Sequence, residues 1–186
     1  ALLREGRLEE AIAAAAAAVK AAPRNPDAHN ALGVTLARAE RWEEATRCYR
    51  TALALTPRRG GTWSNLGNAL TALGRDEQAI AAQRMSLAIQ PGDATALYNL
   101  ATTLTRAERQ AEAIAAYEAA HAAGHPQALW NLARARLAHG DWAGGFRDYE
   151  CRIAQRMVAD RPRPGQRWDG RPFPNQTILL LTEQGF

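Results

Sequence analysis

The residues of this chain best suited to hold a ligand are asparagines that return at regular intervals: Asn65 and Asn99 lie 34 positions apart, and Asn131 follows after 32. An asparagine amide is donor and acceptor at once, which an extended peptide backbone needs if it is to be gripped independently of its side chains. The same amides could instead bond to neighbouring backbone and orient the surrounding elements. Other groups with chemical potential are sparse. His121 and His125 are four apart and could present two ring nitrogens on one helix face to a metal, but no third ligand accompanies them. A histidine near a helix C-terminus is favoured by the dipole in any case. The acid pairs Glu9-Glu10 and Glu43-Glu44 are expected in first helical turns, where carboxylates also suit the dipole, a structural role. No nucleophile-base constellation stands out, so neither catalysis nor a metal or cofactor is expected of this chain alone. Cys48 and Cys151 form no CxxC or disulfide-dense pattern, which points to a reducing, cytoplasmic setting.

Whatever positions these asparagines is helical. The chain of 186 residues is 47% apolar, enough for a buried interior, and alanine, the best helix former, dominates that fraction. The longest apolar stretches are alanine-rich 11–19 and the short run Ile178 to Leu181, neither of which could cross a bilayer. The net charge of +4 comes from arginines scattered among acids, with Lys20 the only lysine. A nucleic-acid binder concentrates its charge on one face, so that partner class is not expected.

A period of 34 organises the chain: Pro23, Pro57 and Pro91 are equally spaced, as are Ala11, Ala45, Ala79 and Ala113. In this register 26–59 carries Leu32-Gly33, Leu36, Ala45, Tyr49, Ala52 and Pro57. The next copy, 60–93, carries Trp63, Leu66-Gly67, Leu70, Gly74, Ala79, Ile80 and Pro91. Further copies start near 94 and 126, the last with Leu132-Ala133, Gly140, Trp142 and Tyr149, and a partial copy opens the chain. This pattern resembles the tetratricopeptide repeat. The resemblance implies an all-α, right-handed superhelix of antiparallel helix pairs over 1–157. Gly33, Gly67, Ala45 and Ala79 should sit where paired helices come closest, Gly74 and Gly140 in left-handed turns, and Pro57 and Pro91 just past helix ends.

In that family the first helix of each pair lines a concave groove for another polypeptide. Carried onto this sequence, the lining is Asn30, Val34 and Arg38; Ser64, Asn65, Asn68 and Thr71; Tyr98, Asn99, Thr102 and Thr105; and Trp130, Asn131 and Arg134. Asn65, Asn99 and Asn131 then form a ladder similar to that of the tetratricopeptide domain of O-linked N-acetylglucosaminyltransferase. At the first full copy the ladder is expected to break, with Ala31 on the rung and Asn30 one residue early.

Beyond the repeats, 158–175 is an arginine-, proline- and glycine-rich linker, and 176–186 looks like the first strand of a Rossmann-like sheet followed by a glycine loop. Together with Asp141-Trp142-Ala143-Gly144-Gly145-Phe146 and Trp168-Asp169-Gly170, this resembles the junction in bacterial proteins that fuse tetratricopeptide repeats to a glycosyltransferase-like domain. The resemblance implies a nucleotide-sugar cofactor for a parent protein, with Gln184 and Gly185 the only residues here near its site. Separately, the unpaired backbone groups of the terminal strand offer a route to homo-oligomerisation. Three functions stay open: a peptide-binding module of such a protein, a glycosyltransferase whose catalytic part lies elsewhere, or an assembly scaffold.

Overall fold

The computed structural model describes residues 2–150, and every regular element among them is an α-helix. A long first helix, α1 (Leu2–Ala21), precedes four antiparallel pairs: α2 (Pro26–Arg38) with α3 (Trp42–Leu55), α4 (Gly60–Ala72) with α5 (Asp76–Ile89), α6 (Ala94–Arg106) with α7 (Gln110–Ala122), and α8 (Ala128–Ala138) with α9 (Trp142–Tyr149). The linker 158–175, the strand at 176–186 with its oligomeric role, Gln184, Gly185 and Cys151 lie outside the described residues.

Local chemistry sets the boundaries. Asn25 caps α2 by accepting from the Asp27 N–H at 2.9 Å, with Pro26 in the first turn, and Asp93 caps α6 by accepting from the N–H groups of Thr95 and Ala96. α3 and α5 end two residues ahead of Pro57 and Pro91, because a helical conformation is disfavoured immediately before proline. Between the helices of each pair the chain turns through a left-handed residue, at Glu40 (φ 57°), Gly74 (73°), Glu108 (58°) and Gly140 (88°). The closing bonds repeat as well: the N–H groups of Arg41, Arg75, Arg109 and Asp141 each reach the carbonyl five residues back at 2.9 Å. That is the Schellman arrangement.

One expectation is corrected. Glu9 and Glu10 lie inside α1, not in its first turn, because α1 runs unbroken from Leu2. Gly6 does not end it, since one glycine costs a helix only about 1 kcal/mol relative to alanine. The role of Glu9 is instead an ion pair with Arg41 at 3.9 Å, the first of a series in which Arg75 meets Glu43 at 2.6 Å and Arg109 meets Glu77 at 3.3 Å. Arg41 thereby straps α3 onto α1, and Arg75 and Arg109 each strap a second helix onto the second helix of the pair before it. Glu44 is held by Arg41 through two hydrogen bonds, which keep its carboxyl below the usual carboxylate range.

The core is built from small residues at crossings and large ones between them. Ala45, Ala79 and Ala113 are fully buried, while Leu36, Tyr49, Leu53, Leu66 and Leu70 fill one cluster and Leu100, Leu104, Tyr117 and Leu132 another. Gly33 and Gly67 are close approaches: a Cβ at Gly33 would sit 2.6 Å from the Tyr49 ring, and one at Gly67 would sit 2.5 Å from Gln83 Nε2. The first helices α2, α4 and α6 also touch one another directly, so they form the inner surface of the stack.

Candidate functional site

The inner surface formed by α2, α4, α6 and α8 carries the residues singled out in the sequence, and its side chains are partly engaged with one another. Asn65 Nδ2 donates to Asn30 Oδ1 across α2 and α4 at 3.3 Å. Ala31 leaves the rung position itself without an amide, but the amide one residue earlier reaches its neighbour. At the other end Asn131 Nδ2 donates to the Tyr98 hydroxyl at 2.7 Å, joining α6 and α8. Asn99, half-buried between them, has no hydrogen-bond partner for its amide among the described residues. Two rungs thus join neighbouring helices, through side chains and not through backbone, each with one of its amide hydrogens, and the amide of the middle rung has no partner among the described residues.

The threonines are tied mainly to their own helix. Thr71 donates to the Gly67 carbonyl and also meets the Thr103 hydroxyl at 3.0 Å; Thr105 donates to the Ala101 carbonyl, and Thr102 to that of Tyr98. Ser64 is buried, 8% exposed, beneath Gln83, which donates to its carbonyl. Asn68 is exposed and its Oδ1 accepts from Gln83 at 2.9 Å, which leaves the Asn68 amide hydrogens pointed elsewhere. Trp130 packs on Tyr149, ring centroids 4.7 Å apart, so part of its surface is spent holding α9.

Charge on this surface is uneven. Arg106 pairs with Asp76, and Arg136 with Glu118 and Asp148, whereas Arg38 and Arg134 are exposed and have no carboxylate partner among the described residues. Asp27, the acid within α2, is occupied by Arg59. The inner face is therefore neutral to cationic. A cavity of about 410 Å³ opens beside Arg38 between α2, α3 and α4, with Val34, Trp42, Tyr49 and the amides of Asn65 and Asn68 among its walls. Burial pushes the Tyr49 phenol up to about 12, so it remains a hydrogen-bond donor.

His121 and His125 do not form the face that their spacing suggested. α7 ends at Ala122 and the chain reverses through Gly124 (φ 86°), which carries His125 onto Tyr98, the two rings stacked 4.0 Å apart. Burial there lowers the His125 pKa. No cluster of three metal-ligating side chains exists among the described residues. No helix among them is long and apolar enough to span a membrane.

Sequence reasoning missed the second-helix positions 49, 83 and 117 and the arginine straps. Both follow the 34-residue period, so the signal was present in residues other than the apolar ones.

Residues 24–92, and separately residues 1–46, match family models described as tetratricopeptide repeat. No curated protein matches the sequence. Among solved structures, a crystal structure of MamA superposes with a TM-score of 0.77 at 20% identity, covering 83% of this chain and 91% of that one. PilF of Pseudomonas aeruginosa gives 0.72 at 23% identity, covering 82% of this chain and 70% of that one. YrrB, described as a TPR protein with an unusual peptide-binding site, gives 0.70 at 18% identity over 85% and 82%. The chain carries tetratricopeptide repeats, and its described part has the fold of a tetratricopeptide-repeat superhelix.

Proposed function

We propose that this chain is a protein-interaction module that holds an extended polypeptide along the inner surface of α2, α4, α6 and α8. The observation that carries the reading is Asn99: a half-buried amide at the centre of this surface, in the register of two amides that already bridge helices, with both donor and acceptor uncommitted. Peptide binding by the similarly folded YrrB agrees with it. Asn99→Ala should weaken peptide binding by about 0.5–1.5 kcal/mol, the net value of a neutral hydrogen bond, without moving the melting temperature. Asn65→Ala and Asn131→Ala should lower both affinity and stability, since their amides also join helices. Calorimetric titration alongside thermal melts separates the two effects. A destabilised Asn99→Ala chain with unchanged affinity would overturn the reading.

A finer reading rests on 141–186 alone: the groove recruits polypeptides to a glycosyltransferase-like domain that uses a nucleotide sugar, and the cysteine pattern places that work in the cytoplasm. Nucleotide-sugar titration of the longest natural protein containing this chain tests it, and absence of binding there removes the transferase context while leaving the groove.

A further inference from the structure

Three consecutive helix pairs share one junction between groove and core, and in one of them it is chemically incomplete. Positions 34, 68 and 102 on the first helices are equivalent, as are 49, 83 and 117 on the second helices. In the second full pair Gln83 donates to Asn68 at 2.9 Å, and in the third the hydroxyls of Tyr117 and Thr102 meet at 3.3 Å. In the first the groove position is Val34, which can neither donate nor accept. Tyr49 is only 2% exposed, yet its hydroxyl has no hydrogen-bond partner among the described residues.

Tyr49 and Val34 both line the cavity beside Arg38. The polar groups left available around it are the Tyr49 hydroxyl, the guanidinium of Arg38, which meets no carboxylate among the described residues, the amide hydrogens of Asn68, whose oxygen is already used by Gln83, and the second amide hydrogen and the oxygen of Asn65, so donors outnumber acceptors. No carboxylate lines the cavity, and Val34, Ala37 and Trp42 supply apolar wall. Donors converging on an acid-free cavity with apolar sides suit an anion carried on a short apolar stem.

The geometry points to this cavity as a pocket for an acidic side chain of the bound polypeptide, its carboxylate accepting from the Tyr49 hydroxyl and from Arg38. The assignment rests on the groove reading and adds a side-chain preference to it.

Random dodecapeptides displayed on phage provide the probe. They are selected on the chain, and the enriched peptides are then synthesised and titrated against Tyr49→Phe, Arg38→Gln and Asn99→Ala. An acidic residue should be enriched over its amide at one position. Tyr49→Phe and Arg38→Gln should each weaken the acidic peptides by about tenfold while leaving their amide analogues unchanged, as expected for hydrogen bonds to a charged group. Neither variant threatens the fold: Tyr49→Phe keeps the ring that packs on Gly33, and Arg38 is exposed. Peptides that depend on Asn99 but show no acidic preference, or ignore both pocket variants, would overturn the pocket and leave the groove standing. Failure to select any peptide whose binding depends on Asn99 would overturn both.

Discussion

At the scale of single residues, the turns show how the repeat tolerates imperfect sequence. Glu40 and Glu108 adopt the left-handed conformation that Gly74 and Gly140 adopt in the alternate repeats. For a residue with a Cβ this costs about 1–2 kcal/mol, of which about 0.4–1 kcal/mol is recovered through an unfolded chain less free than glycine would make it. A carboxylate at a helix C-terminus adds an unfavourable dipole interaction. Glu40→Gly and Glu108→Gly should each stabilise the chain by about 0.5–1 kcal/mol, by the difference of those two terms, and Gly74→Ala should do the reverse. Urea melts of the three variants check the signs, and a destabilised Glu40→Gly would contradict the argument. His125 provides a pH effect. Burial against Tyr98 lowers its pKa beneath the ordinary 6.5, so around that pH the unfolded chain binds more protons than the folded one. This contribution is intact above 6.5 and is lost as the pH falls toward the lower folded value. His125→Phe, which keeps an aromatic ring on Tyr98, should flatten the pH dependence of stability between neutral and mildly acidic solution. Parallel slopes for both proteins would refute this.

Among helices, the straps between successive second helices depend on exposed charges. Arg75 and Glu43 retain 40% and 53% of their side-chain exposure, so their pair contributes only about 0.2–1 kcal/mol. Arg75→Met should cost no more than that in dilute salt and almost nothing in 1 M salt, because the interaction is screened. A larger loss that persisted in high salt would mean that the arginine stem, not its charge, joins α3 to α5. The helices themselves were legible in the sequence because each apolar face, proline and glycine recurs at one period and the errors do not accumulate. Contacts made by side chains reaching across the period were not. The arginine straps join two different repeat positions, each of which recurs every 34 residues, and the Asn30 amide reaches Asn65 from one place off the rung. A long side chain absorbs a one-residue offset that a positional alignment counts as a break. The Tyr49 pocket was hidden for a related reason: it depends on two positions of one repeat that fail to match each other, though each fits the family pattern alone.

Across the whole molecule, each helix pair packs chiefly on its neighbours in sequence, so stability should behave as a line of coupled units with the central pair coupled on both sides. Gly67 is the sharpest place to break that line. A Cβ there would meet Gln83 Nε2 at 2.5 Å and Cδ at 2.7 Å, and the Gln83 side chain is fully buried and tied to both Asn68 and Ser64, so it has little room to retreat. Gly67→Leu should therefore cost at least about 1–3 kcal/mol by overpacking. Because α4 and α5 stand between the α2–α3 pair on one side and the α6–α7 pair on the other, the damage should divide the stack instead of trimming an end. Amide exchange should then accelerate most in α4 and α5, less in α3 and α6, and least in α1 and α8. The control is Gly61→Leu, one helix turn and a half away, where an added Cβ meets nothing within 4 Å and no such change is expected. Uniform acceleration along the whole chain in Gly67→Leu would show instead that the repeats unfold as one cooperative body, and the neighbour-by-neighbour account of its stability would fail.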